Sequence, residues 1–367
     1  MPVQYHQGKF PPLALDWGEI AGPLAEASSA VARYDSFLGI IPNPDILVAP
    51  LMVQEAVTSS RIEGTRATVG DVLVYEAGKT DVDPSKMNDI QEVVNYQRAV
   101  AQAAALMKDI PLSGRVLKAA HETLLKNVRG RFKSPGQYRK DQNWIGVNNR
   151  IEEARYVPIA PENLDDAMAK WESYVNESKD PTLVKTAIAH AEFESIHPFL
   201  DGNGRIGRIA VPLMLWSDGL ISNPCFYLSE FFEHRNDEYQ DRLLAVSRDG
   251  DWTGWCVFFL EAIKAQAIDN NEKANQIFDL YERTRTALLD RTGSKYVDRI
   301  VEAMFYAAIF PANIFSGIEG VSDKTGQRMI KALKEMGVIR EIIPHSGKRA
   351  AIVAFTELLE ITEGIKL

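Results

Sequence analysis

Long helical periodicity limits this chain more than any other feature. From about residue 84 to 290, apolar side chains recur every three or four residues, over 86–107, 114–127, 161–176, 182–196, a stretch after 203, 235–247 and 252–290. Successive segments of that kind build an all-α body rather than a sheet. Upstream, Leu24, Ala27, Val31, Tyr34 and Leu38 share one face of a further helix, which Asn43-Pro44 ends. The run ILVAPLMVQEAVTSS then predicts a second helix that Gly64 stops.

Two stretches interrupt this pattern. Residues 130–150, GRFKSPGQYRKDQNWIGVNNR, mix Gly, Pro and Asn with Tyr138, Trp144, Ile145 and Val147, which predicts a short β-hairpin with an open edge around Ser134–Gly146. After Ser294 the helical segments shorten and β-branched residues gather. Ser322 to Met336 reads as a helix stopped by Gly337, VIREIIP alternates toward a turn at His345-Ser346-Gly347, and AIVAF follows. Helix, turn, helix and a two-stranded wing fit that order, with a boundary near 290. The expected division is an N-terminal helical region (1–110), a core (111–290) and a winged helix-turn-helix unit (291–367).

Charge restricts partners. The 367 residues carry 41 Lys+Arg and 50 Asp+Glu, a net −9, which argues against wholesale coating of nucleic acid or anionic membrane. The acidity is uneven. Residues 295–367 hold ten basic and nine acidic residues, so the whole deficit lies before them. Lys324, Arg328, Lys331 and Lys334 make DNA one reading of this unit, and a protein-contact or dimerisation module the other. Cys225 and Cys256 lack metal-ligand spacing and read as buried thiols. No apolar stretch approaches the roughly 18 residues of a membrane span, and the N-terminus lacks signal-peptide character, so a cytoplasmic protein without membrane contact is expected.

The densest chemistry lies in His197-Pro198-Phe199-Leu200-Asp201-Gly202-Asn203-Gly204-Arg205-Ile206-Gly207-Arg208. Proline ends the preceding helix at the histidine. Gly202 and Gly204 permit a tight path, Asn203 can face inward, and the unpaired amides of the next helix make an anion hole. Arg205 and Arg208, three residues apart, read as two guanidinium forks on one face that meet consecutive phosphates. Asp201 is a hard oxygen ligand for Mg²⁺ on a nucleotide. His197, neutral near its usual pKa of about 6.5, suits a general base acting on a hydroxyl. Phe199 reads as an anchor of the loop, and His190 as structural.

These twelve residues resemble the signature of the Fic/Doc family, His-Pro-Phe-x-Asp/Glu-Gly-Asn-Gly-Arg-x-x-Arg, at every specified position. The resemblance implies a helical core with one β-hairpin flap and transfer of AMP from ATP to a Ser, Thr or Tyr hydroxyl of a target protein. By it His197 is the base, Asp201 binds Mg²⁺, Asn203 and the amides of Gly202 and Gly204 hold the α-phosphate, and Arg205 and Arg208 hold the outer phosphates. Gly204 argues against the phosphorylating Doc branch, which carries lysine there. Ser59-Ser60-Arg61-Ile62-Glu63-Gly64 resembles the family's inhibitory motif, with Glu63 positioned to take Arg208 from the γ-phosphate. Gly136, Gln137, Tyr138 and Arg139 resemble the flap on which a target segment docks as an added strand. The C-terminal unit is similar to the winged-helix domain of larger bacterial members. The resemblance also implies self-modification and a homodimer. Removal of AMP, with Glu63 orienting water, and a transcriptional regulator that only senses nucleotide are the alternative activities.

Overall fold

The computed structural model describes residues 1–41, 43–79, 83–146, 150–347 and 349–363. Val147, in the expected hairpin, lies outside them. The chain is predominantly helical.

Local chemistry explains where the helices start. Asp16 caps α1 (Trp17–Ile40) by accepting from Gly18 N, α2 spans Asp45–Ile62, and Thr68 with Asp71 forms a reciprocal capping box on α3 (Val69–Glu76). Asp83 caps α4 (Pro84–Leu106), and α5 spans Gly114–Leu124. Next come α6 (Leu164–Glu177), α7 (Thr182–Ile196) and α8 (Asn203–Ser217). The body closes with α9 (Ser229–His234), α10 (Asn236–Asp249) and α11 (Trp252–Thr292).

α7 is buried on every side from Leu183 to Ile196, Glu194 excepted, which makes it the central helix of the body. It packs on α6, α8 and α11, and α1 lies along α11. Aromatic rings fill the space beside α7: Phe232, Tyr239, Trp255 and Phe259 all lie about His190. That histidine is fully enclosed. Its Nε2 meets the Tyr239 hydroxyl at 2.8 Å and its Nδ1 the Gly207 carbonyl at 3.2 Å, the structural role expected.

α11 runs unbroken for 41 residues, about 60 Å at 1.5 Å per residue, until Gly293 turns left-handed at φ 57°. It therefore carries the chain out of the body, and no flexible linker precedes the C-terminal unit. There α12 (Val297–Tyr306), β3 (Ile309–Pro311), α13 (Asp323–Glu335), β4 (Arg340–Ile343), β5 (Ile352–Ala354) and α14 (Thr356–Glu363) follow, the strands ordered β3-β5-β4 and antiparallel. α12 and α14 both pack on α2, so this unit lies against the helix bearing Ser59.

The expected hairpin takes a different form. Residues 134–142 make turns, because Gly136 and Arg139 are tied to His121 and Pro198 instead of to a neighbouring strand. Antiparallel pairing begins later, at Ile145 opposite Tyr156. Tyr156–Val157 is also a strand, paired in parallel with Val3–Gln4 at the N-terminus. Numbered along the chain, the N-terminal pair is β1 and its partner β2. Cys256 is buried but Cys225 is only half-buried, and both are free thiols. Among the described residues no helix is long and apolar enough to cross a membrane.

Candidate active site

His197 caps α7 in the left-handed region, φ 51° and ψ 60°, a conformation that costs a non-glycine residue roughly 1 kcal/mol or more. Neighbours hold it there. Arg139, buried among backbone carbonyls, donates Nε to His197 O at 3.0 Å and Nη2 to Ile159 O, while its amide donates to Pro198 O at 2.9 Å. Asn143 donates to Phe199 O at 3.1 Å.

The other side of the loop is held by His121. Its ring stacks on Phe199, centroids 3.8 Å apart, its Nε2 bonds to Asp201 O and its Nδ1 accepts from Gly136 N. Asn203 staples the loop internally, accepting from Phe199 N and donating to Phe199 O, both at 2.8 Å. Gly202, at φ 80°, is the N-cap of α8, and a β-carbon there would press on Leu124 at 3.3 Å. The first helical bond of α8 runs from Ile206 N to Gly202 O, leaving the amides of Asn203, Gly204 and Arg205 free of intrahelical partners. Amides left open at a helix start are donors that an anion can take.

The tautomer of the imidazole follows from its neighbour. Nδ1 lies 3.3 Å from Glu194 O, and a carbonyl only accepts, so Nδ1 carries the proton and Nε2 holds the lone pair. Burial pushes the pKa of His197 down to about 4, so the ring is neutral around pH 7.

Arg208 lies across a cavity of about 400 Å³ from the hairpin edge at Trp144 and Ile145; His197, Gly204, Glu63, Glu194 and Tyr239 also line it. Its Nε donates to Ser59 Oγ and its Nη2 to Ser59 O, each at 2.8 Å, and Nη2 reaches Glu63 Oε1 at 2.7 Å. Burial works to raise the Glu63 pKa, but the Arg208 guanidinium overrides it and holds the carboxyl below its usual range. Glu63 and Gly204 are in close contact: a β-carbon on Gly204 would overlap Glu63 Oε1 and approach Arg208 Nη1 to 3.0 Å.

Not every expected residue faces this cavity. Arg205 turns the other way, pairing with Glu92 at 3.1 Å and Asp201 at 3.3 Å, and Arg129 joins the same network through Glu92 and Asp89. The reason is angular. Residues three apart differ by about 60° around a helix axis, and α8 is wedged between α2 and α4, so each guanidinium meets a different neighbour. Asp201 sits on the Arg205 side, 39% exposed, and does not line the cavity. Gly136, Gln137 and Tyr138 also lie away from it. Tyr138 packs on Phe199 and under Lys118, and the cavity edge is instead made by Trp144, Ile145 and Gly146.

Sequence reasoning missed Glu194. Its Oε1 is buried without a hydrogen-bond partner among the described residues, and burial raises its pKa to about 8. The i−3 spacing from His197 on a helix was the available signal. His121, remote in sequence, gave none.

Fold and site together define a helical domain with a tight glycine turn between α7 and α8 beside a cavity. Residues 22–105 match the model of the Fic/DOC family N-terminal region and residues 111–215 that of the Fic/DOC family, together about half of the chain. The chain belongs to the Fic/DOC family. Among curated relatives, "Protein adenylyltransferase Fic" of Nematostella vectensis is 26% identical over 243 residues, 62% of this chain and 50% of that protein. The Drosophila yakuba protein of that name is 26% identical over 165 residues, 43% of this chain and 31% of its own length. A "Uridine 5'-monophosphate transferase" of Xanthomonas campestris is 36% identical over 97 residues, 24% of this chain and 18% of that one. The chain thus spans half or less of these relatives. A crystal structure of a Fic family protein from Desulfovibrio desulfuricans shares the fold at TM-score 0.61 and 22% identity, covering 94% of this chain and 98% of that one.

Proposed function

We propose that this chain is an autoinhibited protein adenylyltransferase that moves AMP from ATP to a hydroxyl of a target protein. The observation that carries the reading is one cavity lined by a neutral imidazole, the start of α8 at Gly204 and a guanidinium already occupied by a carboxylate. A phosphate-binding pocket alone has no need of a buried base.

In the proposed reaction the acceptor oxygen bonds to the α-phosphorus, the α–β phosphoanhydride bond breaks, pyrophosphate leaves, and the hydroxyl proton passes to His197 Nε2. The amides at the start of α8 stabilise charge developing on the α-phosphate oxygens. Arg208 orients the outer phosphates once Glu63 has left it. Arg205 acts through Asp201, fixing its carboxylate rather than gripping phosphate.

Asp201 offers a partly exposed oxygen suited to Mg²⁺, with the nucleotide supplying further ligands; bound there, the ion would neutralise phosphate charge. The donor set fits that use. Among the described residues no group of three or more His, Cys, Asp or Glu side chains gathers into a cage that would hold a metal without nucleotide. The target would add its chain beside Trp144–Gly146, the cavity edge, rather than beside Gly136–Tyr138.

Incubation with α-labelled ATP, Mg²⁺ and cell extract tests the reading: protein-bound label in extract proteins or in the chain itself is expected. Label transferred only from γ-labelled ATP would redirect the assignment to phosphorylation. Label transferred from α-labelled UTP and not ATP would redirect it to uridylylation.

A further inference from the structure

We propose that the C-terminal unit binds duplex nucleic acid, with α13 entering the major groove and Arg349, beside β5, meeting the backbone. This goes beyond the transferase reading and stands without it. The order α12, β3, a 3-10 turn at Ile314–Gly317, α13, β4, β5 is a helix-turn-helix followed by a two-stranded wing, a topology that presents its last helix outward.

α13 buries Gly326, Met329, Ile330, Ala332 and Leu333 and exposes Lys324, Gln327, Arg328 and Lys331. The exposed four stand at i, i+3, i+4 and i+7, one face about 10 Å long. A major groove about 12 Å wide admits such a helix. Arg and Gln are also the side chains whose paired hydrogen bonds suit guanine and adenine edges.

Charge pairing separates this face from an ordinary solvated surface. The acidic neighbours are engaged by cations of the fold: Glu335 by Arg291 at 3.0 Å, Glu341 by Lys334 at 2.6 Å and Asp298 by Arg285 at 2.6 Å. Lys324 and Arg328 have no ion-pair partner among the described residues, and Lys331 has only Glu335 at 3.8 Å. Glu319 and Asp323 stay unpaired, Asp323 in the first turn where the helix dipole favours it. Arg299 of α12 donates to Glu319 O at 3.0 Å, which sets the exposed Arg299 beside the start of α13, where a phosphate would lie. Arg349 adds an exposed cation on the wing, across the bridge from Ser346.

The residues also decide between nucleic acid and protein. The exposed positions of Ser322–Glu335 are Ser, Asp, Lys, Gln, Arg, Lys and Glu, with no large apolar side chain among them. A protein interface needs an apolar or aromatic centre, whereas duplex recognition runs on such cationic and amide groups.

The test is fluorescence anisotropy of the full chain with a labelled 20-base-pair duplex of mixed sequence, titrated at several salt concentrations. Binding should weaken with salt at a log–log slope of about −3 to −5, as four or so phosphate contacts require. Lys324→Glu/Arg328→Glu should weaken binding about tenfold or more. Lys108→Glu/Lys179→Glu, an equal charge change on exposed lysines of the body, should leave it within about twofold. Thermal melts of both variants establish that each is folded. No binding by the unmodified chain at low salt, equal losses in the two double variants, or tighter binding to the single strand would each overturn the proposal.

Discussion

Glu63, just past the end of α2, places its carboxylate 2.7 Å from the guanidinium of Arg208, 145 residues away in sequence. Ser59, one turn earlier, accepts two more hydrogen bonds from the same arginine. Removing only the carboxylate should leave Arg208 anchored yet open to phosphate. Charge-assisted hydrogen bonds of this kind are worth about 1.5–3 kcal/mol. Glu63→Gly should therefore raise label transfer from α-labelled ATP by about tenfold or more. Equal initial rates at saturating Mg-ATP would sink autoinhibition by this pair.

His197→Ala should abolish transfer, a loss of about 10²–10⁴, with ATP affinity largely retained, since the imidazole acts in the proton-transfer step. A pH profile adds a second check. Because the pKa of His197 lies near 4, below its ordinary value of 6.5, the base stays competent as pH falls through 6.5. kcat/KM should decline only toward about pH 4. An acid limb centred near 6.5 would show that the ring is not held as described.

Asn203→Ala removes both bonds that close the loop on Phe199 and leaves the buried Phe199 amide unpaired, while its carbonyl keeps the bond from Asn143. A destabilisation of about 1–3 kcal/mol is expected, read as a lower Tm. Transfer should fall with nucleotide affinity rather than separately from it. An unchanged Tm would mean that the loop closes without the staple.

Glu194 holds a proton in the folded chain up to about pH 8, against an ordinary value of 4.5. A raised folded-state pKa gives stability that is whole below pH 4.5 and lost as pH rises through about 8. Melting temperatures should drop between about pH 4.5 and 8 in the native chain, level off above that, and drop less in Glu194→Gln. Parallel curves for the two proteins would reject the assignment.

β1 braces the hairpin from outside. Tyr5 and His6 both bond to Glu192 on α7, and Ser247 links His6 to the Tyr156 hydroxyl. Deleting residues 1–7 should speed amide exchange at Ile145 and Tyr156 by about tenfold or more, relative to α11 amides. Exchange that quickens equally everywhere would indicate general unfolding instead.

Much of this site was legible in order along the chain. Helical spacing located α1, α2, α7 and α8. The histidine, glycines and Asn203 announced a tight anion-binding turn because each does its work within a few residues of its own backbone. Glu63 and Arg208 were matched across 145 residues only through the resemblance of two motifs; their 2.7 Å separation is a tertiary fact.

What the sequence determined by itself was therefore local: which segments are helical, where they stop, and which chemistry one turn collects. The tertiary structure alone decided where the side chains point. Packing of α8 between α2 and α4 sent Arg208 to Glu63 and Arg205 to Glu92, and it moved the hairpin's pairing to Ile145 and Tyr156. Periodicity records which face of a helix is buried, but the identity of the neighbour across that face depends on contacts between residues far apart in the chain, to which short-range spacing is blind.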